Sequence, residues 1–265
     1  MLIRRVLYAG LLGLGMASSA ASAQATGDQA RLTLGLALGV VGGTDLWSSS
    51  PQAVQFITPA DTFALERRIR STLAVSFGGT YFTGENLGFG AEAFLIGLGF
   101  EDGCRHTFLS GSGNVAAVCR SLQGSEKAAT SVALSAGPIL RFNSRKLISP
   151  YGRVNLGLVI STHSPLRTIG RFPTDSGLED LVVYSDDKNS RLDPSLALGA
   201  GFTASVAKGY SLRWEIRDNI TGLQRVTGTI PIAGFTPPHK RVFKHLFSMT
   251  IGFDVVLERK KGRRY

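Results

Sequence analysis

The chain has 265 residues, 43% of them hydrophobic and only 18% charged, with 32 glycines and a formal net charge of +10. Globular chains carry about 7% glycine, so this one is glycine-rich. The positive charge does not point to nucleic acid: part lies in an N-terminal leader and much of the rest in Arg259, Lys260, Lys261, Arg263 and Arg264, behind an apolar strand.

Residues 1–5 are basic, residues 6–16 form an apolar run, and Ala21-Ser22-Ala23 is a small-residue cleavage site. This is the three-part build of a secretory signal peptide. The run is shorter than the roughly 18–20 residues of a spanning helix, so residues 1–23 are expected to be removed on export. No later segment is long and apolar enough for a membrane helix. The mature chain is therefore either soluble or crosses a membrane as strands.

Beyond the leader the sequence alternates. Leu32, Leu34, Leu36, Leu38 and Val40 oppose Thr33, Gly35, Ala37 and Gly39. After a polar stretch, Leu73, Val75, Phe77 and Tyr81 oppose Ala74, Ser76, Gly78 and Thr80. A short turn at residues 83–86 precedes Leu87, Phe89, Ala91, Ala93 and Leu95 against Gly88, Gly90 and Glu92, with the pattern blurring at Phe94 and Ile96. Residues 131–142 alternate next, interrupted by Pro138, which cannot donate to a ladder. Residues 152–160 follow, then residues 196–206 and 211–217 about a tight Lys208-Gly209 turn, and finally residues 245–255. Side chains on a strand alternate between two faces, so these are eight amphipathic strands of roughly ten residues, the length of a tilted membrane strand.

The connections alternate long, short, long, short, long, short, long. In an up-and-down meander every second connection lies at the same end, so the four long ones gather at one end and the three short ones at the other. Outer-membrane barrels have this asymmetry, with long extracellular loops and short periplasmic turns. The Leu/Val/Phe face is bulky throughout. The other face is Gly, Ala, Ser and Thr with the charges Glu92, Arg141, Arg153, Arg213, Glu215, Arg217 and Asp254. A barrel of about eight strands has an interior just wide enough for side chains to fill, and a lipid-facing arginine at the midplane costs about 2–4 kcal/mol. The expected fold is therefore an all-β, eight-stranded antiparallel up-and-down transmembrane β-barrel over residues 24–258, with a basic tail at residues 259–265. The seven charges are expected to converge inside as a mixed cluster, with Arg213 near Asp254, while Trp214 and Ile216 face lipid. A soluble exported barrel that binds a small ligand in an apolar interior is the alternative.

Cys104 and Cys119 sit in the second long stretch. In an exported chain such a pair reads as a disulfide. A metal site would want further ligands, and only His106 is near.

With signal peptide, eight amphipathic strands, a glycine-rich inner face and a last strand carrying Phe247, Ile251 and Phe253, the chain resembles the small outer-membrane β-barrel proteins of the OmpA/OmpX-like type. The basic run to Tyr265 departs from the aromatic ending usual there, and no peptidoglycan-binding module of the OmpA kind is expected after the barrel. Some outer-membrane barrels act on lipid A through a Ser–His pair. Here the nearest couples are His163 with Ser164 and His245 with Ser248; neighbours and residues three apart on a strand point to opposite faces, and His239 lies alone in a loop. No catalysis, cofactor or metal is expected. The expected role is structural or surface-interacting, with a mostly plugged polar lumen. The expected partners are outer-membrane lipid and lipopolysaccharide, with an extracellular ligand at the long loops and the barrel as a monomer. A narrow, anion-leaning, porin-like channel is the other membrane reading.

Overall fold

The structure, a computed structural model, describes residues 29–53, 62–107, 113–122, 125–127, 130–161, 165–186, 191–228 and 234–260. The leader and residues 261–265 of the basic tail lie outside them. From the N-terminal side come β1 (Gln29–Val41), β2 (Thr44–Ser48), β3 (Gln52–Ala53), β4 (Thr62–Ile69), β5 (Thr72–Phe82) and β6 (Leu87–Gly97). β7 (Phe100–Thr107) leads to helix α1 (Gly113–Leu122), followed by β8 (Ser125–Lys127), β9 (Thr130–Arg141) and β10 (Ile148–Ser161). The hairpin of β11 (Thr168–Thr174) and β12 (Gly177–Tyr184) precedes β13 (Arg191–Ala207), β14 (Tyr210–Val226) and β15 (His239–Lys260).

Eight of these strands close into an antiparallel barrel in the order β1-β15-β14-β13-β10-β9-β6-β5. They are the eight alternating runs of the sequence, joined as a meander. At the tightest reversal Gly209 takes a φ of 96°, which glycine adopts without a Cβ penalty. Pro138 faces outward in β9, and its missing N–H coincides with a gap in the β9–β10 ladder: paired residues run to Ile139–Arg153 and resume at Ala136–Leu156.

The bulky face is outside. Leu36 is 52% exposed, Leu73 78%, Leu156 68% and Phe247 62%, whereas Glu92, Arg153, Glu215 and Arg217 are buried. Ile216 is exposed on this outer face, and beside it Trp214 stacks on Phe202 with ring centroids 5.5 Å apart. A closed ladder leaves no backbone edge, so such a girdle is stable in hydrocarbon. It does not suit a soluble ligand-binding barrel, which would carry that face inside.

The long stretches are more ordered than their polar composition suggests. The first two build a five-stranded sheet, β2-β4-β7-β8 with β3 paired to β4. The third supplies the β11–β12 hairpin, on which α1 packs; a Cβ at Gly170 would meet Val118 Cγ1 at 2.8 Å, so glycine allows the helix to come this close. In the fourth, β14 and β15 stay paired up to Val226–His239. Phe94 and Ile96, where the alternation blurs, point inward and are almost fully buried. They start an apolar core that continues from the upper lumen through Leu46, Trp47, Phe100, Leu122, Leu166 and Tyr184 into the loops. Each fully buried side chain of this size contributes about 1.5–3 kcal/mol, which is what holds these segments together as a cap on the long-loop end.

Candidate functional site

Strand alternation delivers the inward charges from opposite walls. β6 and β14 lie four strands apart around the barrel, with β10 midway between them. Glu215 of β14 accepts from Arg153 of β10, with Nη2 at 2.7 Å and Nε at 3.0 Å from its Oε1. Arg217 Nε reaches the same oxygen at 2.8 Å, and its Nη2 donates to Glu92 Oε1 of β6 at 3.0 Å. Arg153 Nη2 lies 2.9 Å from Glu92 Oε2, closing a ring of two acids and two arginines. The other Glu215 oxygen accepts from the Tyr151 hydroxyl at 2.5 Å. No side chain of the four charged residues is more than 7% exposed. Above the ring, Phe94 stacks against the Arg217 guanidinium at 4.7 Å.

Glycine makes room for these charges. Gly199 lies across the ladders from both Arg153 and Arg217, and a Cβ there would come 2.8 Å from Glu215 Oε1. Below the ring Arg213 Nη2 stands 3.6 Å from Asp254 Oδ1. Arg141 is elsewhere: its Nε donates to the Glu85 carbonyl at 2.9 Å and its guanidinium lies 3.5 Å over the Phe82 ring. The structure thus brings Glu92, Arg153, Glu215 and Arg217 together, sets Arg213 and Asp254 apart as a pair, and leaves Arg141 at the short-turn end. Tyr151 and Phe94 complete the ring without having been singled out by sequence; the break in alternation at Phe94 was their only trace.

A second polar centre, unforeseen in the sequence, lies inside the cap. The Arg67 side chain of β4 is wholly buried. Its Nε and Nη2 donate to the two Asp102 oxygens of β7 at 2.5 and 2.8 Å. It also donates to the Pro165 and Arg167 carbonyls at 2.9 and 3.0 Å and to Thr168 Oγ1 at 3.1 Å. Trp47 and Phe100 flank the guanidinium at 5.4 and 5.5 Å, and Trp47 Nε1 donates to the same Pro165 carbonyl at 3.0 Å. One side chain thereby ties three of the four long connections together.

Cys104 of β7 and Cys119 of α1 form a disulfide, their Cα atoms 5.2 Å apart. Closing a loop of this size is worth about 3 kcal/mol in the chain-entropy model. The bond lies wholly in the cap, so Cys104→Ser is expected to loosen the cap while the barrel still inserts and still shifts on a gel when heated. A thiol assay that labels both cysteines of unreduced wild-type protein would contradict the bond.

His163 and Ser164 lie outside the described residues, as does the side chain of His106. His239 Nδ1 meets the Pro237 carbonyl at 2.9 Å. His245 pairs with Asp218 at 2.7 Å on the outer face, whereas Ser248 faces the lumen and accepts from Asn219 Nδ2 at 2.9 Å; the two do not converge. Among the described residues no group of three or more His, Cys, Asp or Glu gathers in a metal-binding arrangement.

A closed eight-stranded barrel with an apolar exterior, an ionic interior, long connections at one end and short turns at the other defines a small integral outer-membrane β-barrel protein. No protein-family model matches the chain, and no curated protein does. Among solved structures it is similar to Neisserial surface protein A (11% identity, 87% of this chain and 99% of that one, TM-score 0.41). It is similar also to OprG of Pseudomonas aeruginosa (14%, 86% and 96%, TM-score 0.48) and to Ail of Yersinia pestis (11%, 87% and 99%, TM-score 0.34).

Proposed function

We propose that this protein is a monomeric outer-membrane barrel with a structural or surface-interaction role, a plugged lumen and no catalytic activity. The observation that supports it is the Glu92–Arg153–Glu215–Arg217 ring, which crosses the lumen from β6 to β14 with its charges balanced. Mobile water and ions passing this level would have to break contacts between buried ions, which are strong in a low-dielectric interior. The apolar cap core above it supports the same reading. In this reading residues 1–23 direct export, lipid and lipopolysaccharide surround the girdle, the basic run at residues 259–265 lies near anionic head groups, and the ordered cap presents the binding surface to an extracellular ligand.

Purified protein in planar lipid bilayers is expected to give no stepwise conductance. Reproducible, anion-selective steps from the wild-type protein would replace this reading with the narrow channel. Fractionation into the soluble periplasm would remove both.

A further inference from the structure

At the short-turn end, periplasmic in a barrel of this class, the lumen opens into a cavity of about 280 Å3. Arg141, Arg145, Lys146, Lys208 and Arg259 line it, and none of its lining residues is acidic. Four segments converge to place them: the end of β9, the β9–β10 turn, the β13–β14 turn and the end of β15.

Charge is balanced higher in the lumen and unbalanced here. The ring holds two acids and two arginines, and Arg213 stands against Asp254. In the vestibule Arg145 has Glu85 at 3.1 Å, and Glu258, next to Arg259 in sequence, is held by Arg31 at 2.9 Å on the barrel's edge. Among the described residues no carboxylate lies within ion-pair distance of Lys146, Lys208 or Arg259. Like charges held around one concavity repel and favour a bound counter-ion. Hydroxyls share the wall. Ser149 donates to the Asn143 carbonyl at 2.9 Å, while Ser205 and Ser211 face the cavity with no protein partner for their hydroxyls among the described residues.

We propose that this vestibule binds a phosphate-class anion from the periplasmic side. Arginine offers a planar fork to phosphate oxygens, lysine a point charge, and the serines supply further donors. The volume lies just below the roughly 300–1,000 Å3 of a drug-sized ligand pocket, so it suits a single phosphate or pyrophosphate group with little attached. Two sources share this chemistry: a soluble phosphorylated solute, or the head group of an anionic phospholipid in the inner leaflet. The site stands apart from the plugged-barrel reading, because it lies below the ring and does not depend on whether the lumen conducts.

The test uses the full chain in nonionic detergent, titrated calorimetrically with inorganic pyrophosphate. In parallel, phosphatidylglycerol retained from mixed phosphatidylcholine–phosphatidylglycerol nanodiscs is read by native mass spectrometry. The variant Lys146→Gln/Lys208→Gln/Arg259→Gln is compared with Arg105→Gln/Arg171→Gln/Lys240→Gln, which removes the same charge elsewhere; a heat-shift gel shows that both are folded. Saturable pyrophosphate binding, weakened about tenfold or more in the vestibule variant and little in the control, supports the site with a soluble ligand. Lipid retention lost only in the vestibule variant, without pyrophosphate binding, supports it with a head group. No binding in either arm, or equal loss in both variants, overturns the proposal.

Discussion

Arg67→Ala is expected to release the extracellular cap and leave the barrel ladder intact. The substitution removes the bidentate pair with Asp102 and three donations to the Pro165–Thr168 segment. It also takes the counter-charge from a carboxylate whose side chain is 3% exposed. Breaking a buried pair from one side costs about 3–5 kcal/mol. That loss falls on a region held by its own core rather than on the barrel, so it should appear as local opening, not global unfolding. In proteoliposomes the variant should expose amides of β4, β7 and residues 166–168 to hydrogen exchange and admit protease to the cap, with the heat-shifted band unchanged. Arg67→Lys keeps the charge without the planar fork and should sit between the two. The double variant Arg67→Met/Asp102→Leu removes both charges and should recover much of the protection. If the cap of Arg67→Ala exchanges as slowly as that of wild type, the arginine does not hold it.

Alternation made the barrel legible. All eight runs are long enough to repeat the pattern several times, and the outward face carries too little charge to mistake. The cap gave no such pattern. Its strands are short, from two residues in β3 to eight in β4, β7 and β12, and its apolar side chains are scattered over segments far apart in sequence. Leu46, Leu122 and Leu166 form one core only after the barrel has brought four connections to one rim. Arg67 and Asp102 looked like two more charges in polar loops, because burial of a charge is set by tertiary closure and leaves no local mark.

The ring shows a subtler limit. Alternation assigns a face but not a height, and in a tilted barrel the two are independent. Glu92 is paired across the ladder with Ser135. Arg141 lies six residues further along β9, about 20 Å at the usual rise per residue. It shares the inward face yet ends at the vestibule. Arg153 is placed relative to Glu92 by the registers of β10 on β9 and of β9 on β6 and reaches it by its own length, neither of which composition reveals.

Glu215→Ala is expected to be the most damaging single change in the lumen. Glu215 accepts from Arg153 through two nitrogens, from Arg217 and from Tyr151, so its loss leaves two buried arginines sharing Glu92. The cost should be about 3–5 kcal/mol, read as a lower denaturant midpoint for unfolding from phospholipid vesicles, followed by the fluorescence of Trp214 and Trp47. Glu92→Ala should cost less, because both arginines keep Glu215. Members of one ionic network are not additive, so Glu215→Ala/Arg153→Ala should lose less than the sum of its singles. Replacing all four by apolar side chains of similar volume should recover most of the stability, since a buried ion cluster is costly to break but not to replace. A different lumen would answer differently. If the arginines were separately hydrated in a wet channel, removing Glu215 would cost no more than a surface ion pair, about 0–1 kcal/mol, and the quadruple replacement would be the harmful one because it would strip water from the pore. The order of these two variants therefore distinguishes a salt-bridged plug from a water-filled bore.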